Sequence, residues 1–417
     1  MSKPIVKNSG QAWLQFVIVF IAGITIAMGM FKVPVNFPNI MAYYGSDMAV
    51  TSWMMSIVGI CCLITALPAG GIMQKIGAKK FGIVVIAAGI LECFLGSIAP
   101  SIGTLIATRI LDAVSYGCLS MVSVAIISGA FTPEKRGLPN GIWVIWVPIA
   151  QLFVAQIANA VVPSFGWQGE WIAVGACQIV ALLLFILFIK DPEVEAAEEN
   201  GEHKEKASFV EGIKEPGPWL LTIAVAGVAF GCSVYTGLYP TFLSDPVNGL
   251  GLSQIDANNL VSIGSIGGII GSVLVGWVIN RFKPTKRGIL MMIIMALSIV
   301  TFAVCFSVPV GIMAAFMVWF AALSNFNMPI AFAWIPDMLK NPKTLSMATG
   351  ILMIGANIGG ALGVTLPSMC IQAAVGAWTG CLPLIAGLAI VGLATSAALH
   401  VYVQKKVVPV RPDLEGK

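Results

Sequence analysis

The sequence predicts an all-α membrane protein of twelve transmembrane helices, arranged as two six-helix, pseudo-symmetric halves. Three observations carry that expectation. Of 417 residues, 58% are hydrophobic and only 10% charged, with a mean hydropathy of +0.92. A water-facing globule carries charge on roughly a quarter of its residues, and a disordered chain lacks such apolar density. The apolar runs also have the length of about 20 residues that crosses a bilayer. Finally, one charged stretch near mid-chain leaves six such runs on either side.

Apolar runs read against their polar breaks place the spans at 13–36, 51–70, 81–99, 103–129, 140–162, 171–189, 218–243, 257–279, 288–306, 309–335, 346–366 and 379–402. The first run is long enough to be a span itself, so no cleavable leader is expected. Lys and Arg accumulate on the cytoplasmic side of membranes. With the N-terminus inside, Lys3, Lys7, Lys75, Lys79, Lys80, Lys135, Arg136 and Lys190 fall there, as do Arg281, Lys283, Lys286, Arg287, Lys340 and Lys343. The external loops then hold only acids, namely Asp47, Glu170, Asp245 and Asp256. Both termini read as cytoplasmic, in a multi-pass cell membrane protein. The domain plan is an N-terminal half over 1–189, a charged linker over 190–217 that includes Glu198 to Lys206, a C-terminal half over 218–403 and a tail over 404–417.

Several function classes fall away. The nine cysteines are scattered through apolar sequence, apart from adjacent Cys61 and Cys62, and have no metal-ligand spacing. They read as small buried hydrophobes, with a Cys370–Cys381 disulfide across one external loop left open. His203 and His400 make no metal pair. No nucleophile–base pair stands out, and no glycine-rich stretch leads into a Gly-Lys-Ser/Thr. An enzyme, an ATP-driven pump and a resident cofactor are therefore not expected. The net charge is +4. Its basic residues report topology, so nucleic acid is not a partner either.

An internal repeat follows. Gly70-Gly71-Ile72-Met73-Gln74-Lys75-Ile76-Gly77-Ala78-Lys79-Lys80 joins span 2 to span 3. Gly276-Trp277-Val278-Ile279-Asn280-Arg281 and the bases after it stand at the equivalent place between spans 8 and 9, and Gln74 and Asn280 are 206 positions apart. Glycines there are expected to let helices approach, and the cations to meet helix C-terminal carbonyls. Duplicated halves suit a carrier that rocks one half against the other.

With these loops, the run Arg109 to Gly117 in span 4, Phe131 to Gly137 after it and Gly166-Trp167 before span 6, the sequence resembles the major facilitator superfamily over essentially its whole length. Thr51 to Ser56, Ala66 to Gly70 and Gly141 to Pro148 look like the branch around cyanate and nitroimidazole permeases. The family's loop motif usually has an aspartate where this chain has Gln74 and Asn280, which puts a charge relay there in doubt. The gating-loop residues carried over are Gly71, Lys75, Gly77, Lys79, Gly276, Asn280 and Arg281. Span 5 reads Trp146-Val147-Pro148-Ile149-Ala150-Gln151 where many drug/proton antiporters have a glycine-rich series, which weakens a drug-efflux reading.

Four ionisable residues lie well inside the spans: Lys32, Glu92, Arg109 and Asp112. A charge at the bilayer centre costs about 2.5–3.5 kcal/mol on insertion scales, so such residues face protein or water and find partners. Spans 3 and 4 turn around Pro100-Ser101, which sets Glu92 and Arg109 at similar depth, and Asp112 shares a helix face with Arg109. Glu92, Arg109 and Asp112 are thus expected to cluster, as an ion-pair lock or as a proton-coupling site. Lys32 lies late in span 1, between Met28 and Pro38, where Pro34 and Pro38 are expected to interrupt the helix. Thr25, Met28 or Gly29, Lys32 and Asn36 share a face. Lys32 is read as a cavity-facing cation, with snorkelling to the headgroups as the alternative.

The family resemblance implies a central cavity lined chiefly by spans 1, 4, 7 and 10. That puts Lys32 and Arg109 beside it, with Tyr235, Tyr239, Asn325, Asn327 and Trp334 as candidates from the second half. Asn325 and Asn327 share a face only if the helix is irregular. The aromatics read equally as packing. The resulting expectation is a secondary active transporter, symporter or antiporter, for a small organic or inorganic anion. A monomer is expected, with the lipid bilayer, a small-molecule substrate and a coupling proton as its partners. An efflux carrier for amphipathic compounds and a transporter-like receptor without flux are the alternatives.

Overall fold

The computed structural model describes residues 7–132, 135–191, 209–341, 344–411 and 414. The charged run Glu198 to Lys206 lies outside them. Among the described residues, eleven helical segments are long and apolar enough to cross a membrane. The longest, Gly137–Phe188, holds two expected spans, so the twelve-helix plan is accounted for. The chain forms two units, Met1–Gly201 with Leu252–Ser265, and Glu202–Gly251 with Ile266–Lys417. The start of one second-half helix therefore groups with the first unit.

In the first unit, α1 (Gly10–Tyr44) begins at Ser9, whose hydroxyl accepts the Ala12 N–H at 3.4 Å, and ends at Gly45 with φ 61°. The two prolines do not interrupt it: Pro34 and Pro38 sit inside one continuous helix. α2 (Met48–Ile76) is capped by Asp47, and α4 (Ile102–Ala130) by Ser101, each side chain accepting an orphan N–H of the first turn. α3 (Ala78–Ser97) has no cap of its own at Gly77. Instead, Asp191 reaches in from beyond α6 and accepts the Lys79 N–H at 2.8 Å. A carboxylate at a helix N-terminus is favourable for both the hydrogen bond and the dipole.

After the short α5 (Gly137–Trp143), α6 (Trp146–Phe188) runs through a kink at Gly166, where φ 67° and ψ 179° suit only a residue without Cβ. The polar link expected between spans 5 and 6 is thus absorbed into helix. One correction follows directly: Glu170 is no external-loop acid but a fully buried residue of α6.

In the second unit, α7 (Phe209–Lys214), α8 (Pro216–Gly237) and α9 (Tyr239–Ser244) come first, with a break at Leu238. α10 (Gln254–Ile279) straddles both units. It is followed by α11 (Arg287–Val304), α12 (Val310–Ser324), α13 (Asn327–Met338), α14 (Leu345–Ala373) and α15 (Leu382–Tyr402). Gly355, Gly359 and Gly363 of α14 lie directly on the backbone carbonyls of Thr222, Ala226 and Phe230 in α8, where any Cβ would collide. Such seams replace the missing hydrophobic drive between helices in lipid. The loop glycines behave differently: a Cβ at Gly70, Gly71 or Gly276 would meet nothing, so they are not close-approach points. All nine cysteines are free, Cys370 and Cys381 included.

Candidate functional site

Four helices of the first unit converge on a buried charge cluster. α1 brings Lys32 and Asn36, α3 brings Glu92 and Cys93, α4 brings Arg109 and Asp112, and the second part of α6 brings Glu170, Trp171 and Gln178. Lys32, Asn36, Glu92, Arg109, Asp112, Glu170 and Gln178 all have no exposed surface. Bulk solvent therefore does not reach them, and their charges are met by groups within the fold.

Lys32 pairs with Glu92 Oε2, and its ammonium lies 3.1 Å from Cys93 Sγ and 4.7 Å from the centre of the Trp171 ring. Glu92 Oε1 accepts from Arg109 Nη1 at 3.2 Å and from the Trp171 indole N–H at 3.3 Å. Glu92 thus bridges both cations. Arg109 also pairs with Asp112 one turn along α4. Its remaining donors go to backbone carbonyls: Gly29 O at 3.0 Å, Met30 O at 3.3 Å and Met54 O at 3.3 Å. The Met30 carbonyl is available because Pro34, four residues on, has no N–H to give it. Proline in α1 thereby serves to seat the arginine. Gly29 contributes as well, since a Cβ there would stand 2.9 Å from Asp112 Oδ1.

The expected Glu92–Arg109–Asp112 cluster is present in the geometry, with Lys32 as a fourth member. Lys32 neither snorkels nor faces open space; it is enclosed and ion-paired. Two cations and two carboxylates make that quartet neutral. Glu170 is a third acid, and a sequence reading that put it in a loop missed it. Its Oε2 accepts from the Asn36 amide, while Oε1 has no hydrogen-bond partner among the described residues. Asn36 also donates to the Lys32 carbonyl at 3.0 Å and accepts from Asn39 at 3.3 Å. The signal that finds Glu170 is the Gly166-Trp167-Gln168-Gly169-Glu170-Trp171 run, in which two tryptophans flank the acid at helical spacing.

Asn36 and Asn39 line a cavity of about 390 Å³ within the first unit, together with Asn159, Gln254 and Asn258. Apart from Ser253, the polar side chains of the lining are carboxamides: Asn159 accepts from Asn258 at 3.0 Å, and Gln254 donates to Val35 O at 3.0 Å.

The second-half candidates do not form a comparable site. Tyr235 and Tyr239 are buried, with hydroxyls given to Met317 O at 3.2 Å and Cys305 O at 2.5 Å. Their rings pack into a cluster with Phe242, Phe306, Phe316 and Phe320. Trp334 is fully buried in an apolar core with Met291 and Met295. Asn325 and Asn327 flank the break between α12 and α13, so the helix is irregular there; their amides donate to Ala321 O at 2.8 Å and Leu323 O at 3.4 Å. The loop residues are placed at helix ends, where Gly77 takes φ 87° and Arg281 stacks 4.2 Å from the Trp277 ring. Gly71, Lys75, Gly276, Asn280 and Arg281 are exposed, while Lys79 is partly buried. At the α11 end Arg287 pairs with Asp337 at 2.7 Å. No group of three or more potential metal ligands occurs among the described residues.

Residues 19–321, and in a second match 221–416, fit the model of the Major Facilitator Superfamily. The chain belongs to that family. Among curated relatives, it is similar to the riboflavin transporter RibZ of Clostridioides difficile (strain 630), at 25% identity over 44% of this chain and 40% of the relative. It is also similar to monocarboxylate transporter 12 of Mus musculus, at 22% identity over 66% of this chain and 62% of that protein. The Xenopus laevis form matches at 22% over 86% and 79%. The matched stretch is thus less than two thirds of the first two relatives. Among solved structures, the fold resembles the nucleoside transporter NupG, with TM-score 0.73 at 15% identity over 92% of this chain and 99% of that one. A bacterial homolog of the human lysosomal transporter Spinster gives TM-score 0.69 at 16% identity over 98% of both chains. At such identities the likeness is one of fold.

Proposed function

We propose that this protein is a secondary transporter that moves a small organic or inorganic anion by alternating access, in company with a proton. The observation that carries this reading is the closed, neutral Lys32–Glu92–Arg109–Asp112 cluster. An anion can be held by Lys32 and Arg109 only by competing with carboxylates already there. Adding its charge to a water-free site is costly unless a proton arrives with it. Such a site therefore favours anion and proton together and disfavours a lipophilic cation.

The monocarboxylate transporters among the relatives support the substrate class, as does the placement of Lys32 and Arg109 on facing helices. Glu92 and Asp112, as the partners of the two cations, are the natural competitors of an incoming anion. Within the family, the proposal sets the chain beside the cyanate and nitroimidazole permease-like branch, on the resemblance carried by Thr51 to Ser56, Ala66 to Gly70 and Gly141 to Pro148. The efflux reading draws in part on Tyr235 and Tyr239, whose hydroxyls are here committed to backbone carbonyls. In the proposed orientation both termini are cytoplasmic and the protein acts as a monomer.

Thermal stability of the purified protein against lactate, oxalate, cyanate, nitrate and tetraphenylphosphonium tests the substrate class. A ligand at a hundredfold its dissociation constant stabilises by about 2.7 kcal/mol. One of the anions should raise the transition temperature, and Lys32→Met should abolish the rise. Stabilisation by tetraphenylphosphonium alone, unchanged in Lys32→Met, contradicts the proposal.

A further inference from the structure

Counting charge around the cluster leaves one group over. Of the cluster's titratable groups, Lys32 on α1 is the one whose charge reaches Glu170; Glu92 and Cys93 on α3 lie against Lys32, and Asp112 on α4 lies against Arg109. Both cations are already matched, Lys32 to Glu92 and Arg109 to Glu92 and Asp112. Glu170 has instead a neutral amide on one oxygen and, among the described residues, nothing on the other. It has no exposed surface. An ionised carboxylate in that position would lack both water and a counter-ion, an arrangement proteins avoid by protonation or by pairing.

We propose that Glu170 is the proton-binding carboxyl of this site, holding a proton while Lys32 rests on Glu92 and competing for Lys32 once the proton has left. The competition is built into the local geometry. Asn36 bridges the Lys32 carbonyl and the Glu170 carboxyl, and the adjacent Trp171 lies under the Lys32 ammonium while donating to Glu92. Glu92 holds the Lys32 ammonium, while Glu170 is tied through Asn36 to the same turn of α1. The proton has a place to go, because Asn36 also lines the cavity of about 390 Å³. The step is a simple dissociation, in which the O–H bond of the acid breaks, the carboxylate keeps the electron pair and the proton passes to solvent there.

This assignment rests on the reading of the cluster as an anion-and-proton site, and it supplies the coupling. A charged Glu170 and a bound anion seek the same ammonium, so each weakens the other; a protonated Glu170 leaves Lys32 to the anion. Anion and proton then strengthen each other's binding, and by linkage the effect is reciprocal. The empty site with charged Glu170 and the loaded site with protonated Glu170 carry equal buried charge. That equality defines a one-to-one symport without a swing in buried charge. Glu170 rather than Glu92 or Asp112 is the carrier because those two each have a cation in contact.

The test is infrared difference spectroscopy of the purified full chain across a pH series, with no anion added, reading the carbonyl stretch of protonated carboxylic acids. Wild type should show an acid band that titrates. Glu170→Gln should lose it completely, and Asp112→Asn should keep it. Survival of the band in Glu170→Gln, its loss in Asp112→Asn, or no titrating acid band in wild type overturns the assignment. Should Glu170→Gln not yield folded protein, Asn36→Leu removes the amide that Glu170 accepts from and should shift the band; an unshifted band overturns the proposal as well. The readout needs no substrate, so failure of the anion reading in the stability panel and failure of this assignment are separate results.

Discussion

The two units are built from the same kind of apolar helix, yet they bury different things. The first buries three carboxyls and two cations on four helices, with Glu92 touching both cations. The second buries aromatic rings and a glycine seam, and its one ion pair among the described residues, Arg287–Asp337, stands at helix ends with Arg287 side chain 21% exposed. Buried rings hold a helix packing in place with little to rearrange. A buried ion cluster can exchange partners, because each charge has more than one group within reach. In the proposed reading the chemistry belongs to the first unit and the packing to the second.

The largest effect that would sharpen this contrast is expected at Glu92. Glu92→Ala leaves Lys32 without its carboxylate and Arg109 with only Asp112 in a water-free site, and breaking a buried pair in this way costs about 3–5 kcal/mol. Unfolding in detergent with a chemical denaturant reads the loss. The double variant Lys32→Met with Glu92→Leu should recover much of it, since charge and counter-charge leave together. A small loss in the single variant would mean that the cluster is not closed.

In the second unit the matching change is Tyr239→Phe, which removes a hydroxyl bonded at 2.5 Å to Cys305 O but keeps the ring in its aromatic cluster. The expected cost is about 1 kcal/mol, with no change in anion-dependent stabilisation. A loss of that stabilisation would move part of the binding site into the second unit and break the comparison.

How legible all this was varied with the physics. Span number was readable because hydropathy is a sum over about 20 residues and tolerates local error. Glu92, Arg109 and Asp112 were readable because a hairpin and a one-turn spacing fix their relative depth. Lys32 was read as a cavity-facing cation, whereas the structure encloses it against Glu92, since helix rotation about α1 depends on packing that hydropathy does not encode. Pro34 and Pro38 suggested a break; packing kept the helix whole, and a freed carbonyl found Arg109. Glu170 was lost to a boundary error of a few residues, because a single glycine kink replaced the loop expected between two spans. Asp191, which caps α3 from more than a hundred positions away, carries no local signal at all.

The central claim is that anion and proton meet at the Lys32 cluster. Its most direct test is uptake of radiolabelled lactate, oxalate and cyanate into proteoliposomes, with and without an inward proton gradient, for wild type and Lys32→Met. The account predicts that one of these anions accumulates above equilibrium only with the gradient, and that Lys32→Met lowers the rate at least tenfold, a loss of about 1.4 kcal/mol or more. Uptake that is indifferent to the gradient and equal in Lys32→Met, or an anion that binds but never crosses, would contradict it.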